Sequence, residues 1–396
     1  MRTHSVYSKG RGAATLQELA SWAAGKRLPA AALTDIENLY GWAEWKRRAG
    51  QAGFAPLFGC EVKVCRKRFL FLVRTTQGYW NLMEILNRRE IREAEGLVVI
   101  WLPRPQDEGF PEDEEVFGSL RDRGNLAIGV DFFNFAKARH LGTRYALPLV
   151  WANPLKFVRN PERLILLHAI QKKIPFPPER HRWAEKVRLF GPDQEAFALK
   201  KFGPEAKPLF EKTFELAGTC GFALEDIVPP LPEDLFPVTL REVVMERLQR
   251  HKSLTWRERQ RALRELAAVE RSGFGPTFLV VHDVVRFARR RGILHNLKGS
   301  GASSFLAYLL GVSRVNPLTF DLYFERFLNS GRADPPDFDL DFDSSRRDEV
   351  LTYVLETYGK GRTGAAFVCS VKNFRARSAL YETARAFGLP RRRRAL

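Results

Sequence analysis

The stretch Pro335-Pro336-Asp337-Phe338-Asp339-Leu340-Asp341-Phe342 decides how this chain is read. Side chains alternate faces along a strand. An extended segment therefore puts Asp337, Asp339 and Asp341 on one side and turns Phe338, Leu340 and Phe342 toward a core. Three carboxylates in a row repel one another, and packing gives no reason to align them. Hard divalent cations such as Mg²⁺ and Mn²⁺ remove that repulsion. Positions two apart lie roughly 6.5–7 Å apart along the backbone, and their carboxylates can converge on metals about 3.5–4 Å apart. The structural alternative is an acidic edge strand that discourages aggregation.

Upstream, Lys298-Gly299-Ser300-Gly301-Ala302-Ser303-Ser304 leads into the apolar helix FLAYLLGV. Glycines and small hydroxyls at a helix start expose backbone N–H groups, where the helix dipole favours an anion. Lys298 adds a point charge suited to phosphate. A plain N-cap explains the same residues without any ligand. Downstream, Ser345 with Asp348 forms a capping-box pattern before DEVLTYVLETYG, with Val350, Leu351, Val354, Leu355 and Tyr358 as the buried stripe. Lys372, Arg375 and Arg377 cluster where an extended run feeds a helix. They suit contacts to a nucleic-acid backbone, or simply a solvated basic face.

Lys and Arg exceed Asp and Glu by 18. Such an excess attracts polyanions, nucleic acid first and an anionic membrane surface only second, since no amphipathic anchor stands out. The basic runs lie at 240–298 and 371–394, whereas 106–122 is acidic. No apolar run is long enough to span a bilayer, and no signal peptide is visible. Cys60, Cys65, Cys220 and Cys369 are scattered, which suits a reducing cytoplasm, and Cys60 and Cys65 read as core thiols.

At 396 residues, two or three domains are expected. The first part alternates helix and strand: LQELASWAAGK, LPAAALTD, GWAEWKRRAGQAG, FAPLFGCEVKV, RFLFLVR and GYWNLMEILNRR. That alternation argues for an α/β layer or barrel. Residues 176–208 turn polar and proline-punctuated, as a domain junction would, and the next half is mostly helical.

Taken in order, GSGASSFLAYLLGVSRVNPLTFDLYFERFLN, PPDFDLDFDSSRRDEVLTYVLETYG and FRARSAL resemble the palm and early thumb of the C-family DNA polymerases. These are the alpha subunits of bacterial DNA polymerase III and their error-prone relatives, and the doubled proline looks closer to the error-prone branch. HSVYS, AALTDIENLYG and PLFGCEVKV resemble that family's polymerase-and-histidinol-phosphatase (PHP) domain. The resemblance implies an α/β multidomain chain. Residues 1–190 would be a degenerate PHP-type distorted α/β barrel, 205–343 part of a nucleotidyltransferase-like palm, and 344–396 the beginning of a helical thumb. It implies two Mg²⁺ or Mn²⁺ ions on Asp339 and Asp341, with Asp337 a supporting charge. Gly299, Ser300 and Lys298 would contact nucleotide phosphates, and Lys372, Arg375 and Arg377 would contact DNA. The partners would be primer–template DNA, deoxynucleoside triphosphates and a complementing polymerase chain or other replication subunits. No membrane is implied, and the location would be the cytoplasm.

Departures from the family pattern qualify this. Arg2 stands where the first PHP histidine belongs, Ile36 replaces another, and Asn153 and Leu155 replace the final Asp-x-His pair. His4, Asp35 and Glu61 remain, too few and too scattered to hold metal. Leu297 and Lys298 replace Gly and Arg in the family's Gly-Arg-Gly-Ser turn. The resemblance also implies further thumb, palm and fingers segments after this point, so a split, truncated or frameshifted polymerase is expected. The principal reading is thus a DNA-directed DNA polymerase in replication or repair, needing a second chain. A non-catalytic nucleic-acid-binding relative is the alternative, and a PHP metallo-phosphoesterase comes third.

Overall fold

The computed structural model describes residues 2–109, 121, 124–177, 179–224, 235–329, 336–359, 365 and 367–389. Pro335, Arg391–Arg394 and most of the acidic stretch near 106–122 lie outside the described residues. The chain forms two compact units: Met1–Ile227 with Ser370–Leu396, and Val228–Cys369. Among the described residues, no helix is long and apolar enough to cross a membrane.

The first unit is an α/β layer. Strands β1 (Ala30–Leu33), β2 (Ala55–Val64), β3 (Lys67–Val73), β4 (Leu97–Trp101), β5 (Leu126–Val130) and β6 (Leu149–Trp151) pair in sequence order. The β1–β2, β4–β5 and β5–β6 pairs are parallel, and β3 is antiparallel to both neighbours. Helices α1 (Leu16–Gly25), α2 (Trp42–Ala52), α3 (Thr76–Arg88) and α4 (Phe135–Tyr145) fill the connections. The run LVVIW of β4 is buried at every position, as a strand covered on both faces must be. Its unbroken apolar run gives no period to read. The tight β2–β3 turn puts Cys65 and Arg66 at positive φ, 45° and 64°. Cys65 is therefore exposed, not a core thiol, while Cys60 is buried.

The N-terminal segment links the two edges of the sheet. The Thr34 N–H donates to Thr3 O (3.1 Å), just past β1. The Leu155 N–H donates to Arg2 O and the His4 N–H to Leu155 O (2.8 Å each), just past β6. Arg2 and His4 are thereby fixed at the C-terminal ends of parallel strands, where α/β folds concentrate their sites. Helices α5 (Pro161–Lys172), α6 (Arg180–Val187), α7 (Gln194–Phe202) and α8 (Ala206–Gly218) follow. Ala198 and Ala206 are fully buried in the first unit's core, and Phe202 stacks on Phe135 at 4.3 Å. The polar stretch 176–208 thus belongs to the first unit's helices instead of ending it.

The second unit is helical around a two-stranded ladder. Helices α9 (Leu240–Arg250), α10 (Trp256–Arg271) and α11 (Gly275–Arg290) precede β7 (His295–Lys298) and the short α12 (Phe305–Leu309). Then come β8 (Asp339–Phe342) and α13 (Arg347–Tyr358). Thr239 with Glu242 and Thr255 with Glu258 close capping boxes on α9 and α10. The Ser345–Asp348 box is not formed: the Ser345 amide and hydroxyl both donate to Asp343 Oδ1 (2.9 and 2.8 Å), and Arg346 takes the N-cap position. Asp343 competes locally and wins because it sits two residues away.

The last helix, α14 (Ala376–Ala386), groups with the first unit, where the sequence expectation had put it with α13 in one thumb. The Phe176 N–H donates to Ala386 O (2.7 Å), Arg385 donates to Ile170 O of α5 (3.3 Å), and the Phe176 and Phe387 rings lie 4.9 Å apart.

Phe278 of α11 holds β8 in place: its ring lies 5.0 Å from Phe338 and 6.0 Å from Phe327. Phe278→Ala is expected to cost about 3–5 kcal/mol, read as a lower midpoint for the second unit in urea unfolding.

Candidate functional site

β7 and β8 pair antiparallel, with Lys298 opposite Asp339 and Asn296 opposite Asp341. Asp337, Asp339 and Asp341 are exposed, while Phe338, Leu340 and Phe342 are half-buried against the core. The exposed face of the ladder therefore gathers Asn296, Lys298, Asp339 and Asp341. Phe338 lies edge-on to both Phe278 and Phe327, with centroids 5.0 Å apart in each pair.

The Lys298 ammonium pairs with the Asp341 carboxylate, and this partner raises the Lys298 pKa. Both side chains are more than half exposed, so the pair adds little stability and is easily displaced. Gly299 follows at φ +68°, and a Cβ there would stand 2.7 Å from Asp339 Oδ2. Glycine meets both demands without backbone strain and without displacing the carboxylate. The carboxylate thus rests against bare backbone.

The turn Gly299–Ser303 is a 3₁₀ segment tied by a bond from Ser303 Oγ to Ser300 O (2.6 Å). The start of α12 is not free for an anion. Glu265 of α10 accepts the Phe305 and Leu306 N–H groups (3.0 Å each) and the Ser304 hydroxyl (2.9 Å). Ser304 Oγ takes the Ala307 N–H (3.1 Å). An incoming phosphate is left with the turn itself and Lys298. Glu265 is fully buried; burial raises its pKa, opposed by Arg261 and the two amides. Arg261 pairs with Glu265 and donates to Ser303 O (3.2 Å) and Leu322 O (3.0 Å). Sequence reading passes over this clamp, because Arg and Glu four apart on a charged helix look like any surface pair.

Asp339 and Asp341 supply hard oxygen donors on one face. Among the described residues, no group of three or more His, Cys, Asp or Glu side chains is placed to hold a metal ion. The aspartates are therefore an open set of two. That chemistry fits Mg²⁺, which is usually bound through one or two carboxylates with substrate phosphates and water completing the shell. Lys372, Arg375 and Arg377 are exposed in the segment leading into α14. They group with the first unit, whereas both aspartates lie in the second.

The residual PHP positions meet in the first unit, and a guanidinium lies among them. Arg2 donates through Nε and a terminal nitrogen to Glu61 Oε2 (2.9 and 2.7 Å), and through its other terminal nitrogen to Ala152 O (3.1 Å). His4 Nε2 lies 2.8 Å from the same Glu61 oxygen. Burial alone would raise Glu61, but Arg2 and His4 outweigh it and hold the carboxyl well below its ordinary range. Burial lowers His4 to about 4 despite its Glu61 partner, so the ring is neutral at pH 7. Asp35 is taken by the Ser5 amide and hydroxyl (2.7 Å each) and the Ser8 hydroxyl (2.5 Å). Asn153 bonds Leu189 O (2.7 Å), and Leu155 is buried. A metal cluster does not fit a site whose carboxylates already serve an arginine and two serines.

Residues 1–116 match the PHP domain, and residues 238–395 match the bacterial DNA polymerase III alpha NTPase domain. The error-prone DNA polymerase of Methylococcus capsulatus is 32% identical over 432 residues, covering 97% of this chain and 39% of that protein. That of Alkalilimnicola ehrlichii is 29% identical, covering 97% of this chain and 40% of its own length. That of Pseudomonas paraeruginosa is 30% identical, covering 98% and 40%. The chain thus spans about two fifths of the length of these curated relatives. Among solved structures, an amidohydrolase from Chromobacterium violaceum aligns over 39% of this chain and 86% of its own, at 14% identity. The TM-score of that alignment is 0.28.

Arg2→Ala would leave Glu61 buried without its main partner. A loss of about 3–5 kcal/mol is expected, measurable as a lower denaturation midpoint of the first unit. Acid acts through the same cluster. Unfolded His4 takes a proton near its ordinary 6.5 and the folded ring only near 4, so stability falls as pH drops through that window. The effect is on the order of 3 kcal/mol. Below about 4.5, protonation of Glu61 removes more, because its folded pKa is the depressed one. Guanidinium unfolding between pH 7 and 4.5 should show the first slope in the native chain and lose it in His4→Gln.

Proposed function

Because the chain belongs to the bacterial DNA polymerase III alpha (C-family) polymerases and their error-prone relatives, we propose that it serves template-directed nucleotidyl transfer in DNA replication or repair. It would act as the part carrying a degenerate PHP-type barrel, a portion of the palm and the start of the thumb. The observation that carries this reading is the exposed pair Asp339 and Asp341, the first against the Gly299 turn and the second paired with Lys298. Asp339 and Asp341 are the residues to hold two Mg²⁺ or Mn²⁺ ions, and Asp337 is a supporting charge. Bound there, the cations would activate the primer 3′-hydroxyl and neutralise charge on the triphosphate.

The chain's own residues have separable duties. The Gly299–Ser300 turn offers backbone to the nucleotide's phosphates at a point where no side chain intrudes. Lys298 leaves Asp341 and turns to a phosphate, exchanging one charged partner for another. Lys372, Arg375 and Arg377 meet the DNA backbone as point charges and forks. Primer–template DNA, deoxynucleoside triphosphates and a complementing polymerase chain or other replication subunits are the partners, in the cytoplasm. A non-catalytic nucleic-acid-binding role is the second reading. The excess of 18 positive charges favours it.

Binding of primed DNA should weaken steeply with salt, and Ala at all three of Lys372, Arg375 and Arg377 should lower the log–log salt slope by about 3. Mn²⁺ binding followed by electron paramagnetic resonance should disappear in Asp339→Ala. Primer extension, by the chain alone or supplied with a complementing chain, should vanish in the same variant. Extension that survives both Asp339→Ala and Asp341→Ala would end the catalytic reading. Mn²⁺ binding unchanged in both variants would remove the metal site.

A further inference from the structure

In the first unit, where metals do not fit, positive charge is instead supplied by the protein. A cavity of about 210 Å³ at the C-terminal ends of the strands is lined by Arg2, Arg11, Arg68, Arg104 and Lys156. A second cavity, of about 370 Å³, shares Arg11, Glu61 and Arg68 with it and adds Lys9 and Lys63. The carboxylates nearby are already engaged. Glu61 holds Arg2, with Arg68 3.7 Å from its other oxygen. Glu37 pairs with Arg89 at 3.2 Å, and Asp107 with Arg104 at 3.0 Å. Asp131 Oδ1 accepts the Phe133 and Asn134 amides at 2.8 and 3.0 Å.

Two cations are left without a carboxylate, and a third, Arg68, shares Glu61 with Arg2. Lys156 Nζ sits 3.8 Å above the Phe190 ring, and neither it nor Arg11 has a carboxylate partner among the described residues. Arg68 Nε is buried without a hydrogen-bond partner. We propose that this pocket is a metal-free binding site for a phosphate anion, with Arg11, Arg68 and Lys156 as its ligating groups. Guanidinium forks match phosphate oxygens bidentately, and a multiply charged anion answers several crowded cations at once. The crowding is visible at Lys156, brought down to about 8 by burial and by Arg2, Arg68 and Arg11. The site binds without hydrolysing: Arg2 occupies Glu61, and His4 is neutral and hydrogen-bonded to it. The inference rests on the first unit alone and is independent of the polymerase reading.

The test uses the full chain at constant ionic strength. Millimolar inorganic phosphate should raise the melting temperature above matched chloride, and titration calorimetry should show saturable binding. Arg68→Ala and Arg11→Ala should each weaken that binding at least tenfold, with unchanged far-ultraviolet circular dichroism. Lys207→Ala, on the exposed face of α8 and outside both cavities, should leave it unchanged. A short oligonucleotide with a 5′-phosphate, compared with its dephosphorylated form, distinguishes a nucleic-acid end from free phosphate as the source. Preference for the phosphorylated end that is lost in Arg68→Ala supports the site with that source, and phosphate binding alone supports it as a free-anion site. No stabilisation beyond chloride, stabilisation untouched in both arginine variants, or loss in Lys207→Ala would each overturn the proposal.

Discussion

Phe338 and Leu340 cannot be packed behind β8 without turning Asp339 and Asp341 to the solvent. That coupling follows from the two-residue period of a strand, and the second unit is built on it. Phe278 and Phe327 receive Phe338 from two sides, and β7 fixes the register that sets Lys298 opposite Asp339. The apolar face therefore does the positioning, and the acidic face is free of any packing duty. Glu265 and Arg261 make a second, polar version of the same arrangement. Buried charge on α10 clamps the start of α12, leaving the Gly299 turn as the exposed backbone next to the carboxylates.

The two units handle concentrated charge in opposite ways. On β8 the carboxylates stay in water, where repulsion is screened and a cation can arrive from outside. In the first unit the corresponding charge is internal. Arg2 and Glu61 are both buried, a pairing made tolerable because each of the three guanidinium nitrogens finds an acceptor. Arg2 thus commits Glu61 to a buried ion pair and leaves its Oε2 unavailable to a metal. The remaining cations around the pair line one cavity: Arg11 and Lys156 without a carboxylate partner among the described residues, and Arg68 3.7 Å from the Glu61 oxygen that Arg2 leaves open.

Much of this was legible in the residues. The alternation in PPDFDLDF gave the strand and its two faces, and amphipathic spacing located most helices of both units. Arg2 and Ile36 marked a departure from the PHP ligand pattern. What escaped had physical causes. The LVVIW strand is apolar at every position and so has no period. Ser345 matched a capping box, but Asp343 lay closer. Cys65 looked like a core residue until the turn geometry put it outside. The proline-rich polarity of 176–208 belongs to helices whose small residues, Ala198 and Ala206, are the buried ones.

The sequence by itself determined the chemistry on offer: alternating aspartates, a glycine turn, an excess of basic residues and a broken ligand set. These are local, and local spacing settles them. Only the tertiary structure decided which groups were available. It closed the α12 N-terminus with a carboxylate from forty residues upstream, set Lys298 on Asp341, and joined α14 to α5. It also gathered Arg11, Arg68 and Lys156 around one cavity. Burial and long-range pairing, which no local pattern encodes, fix whether a charged side chain is occupied or free to bind.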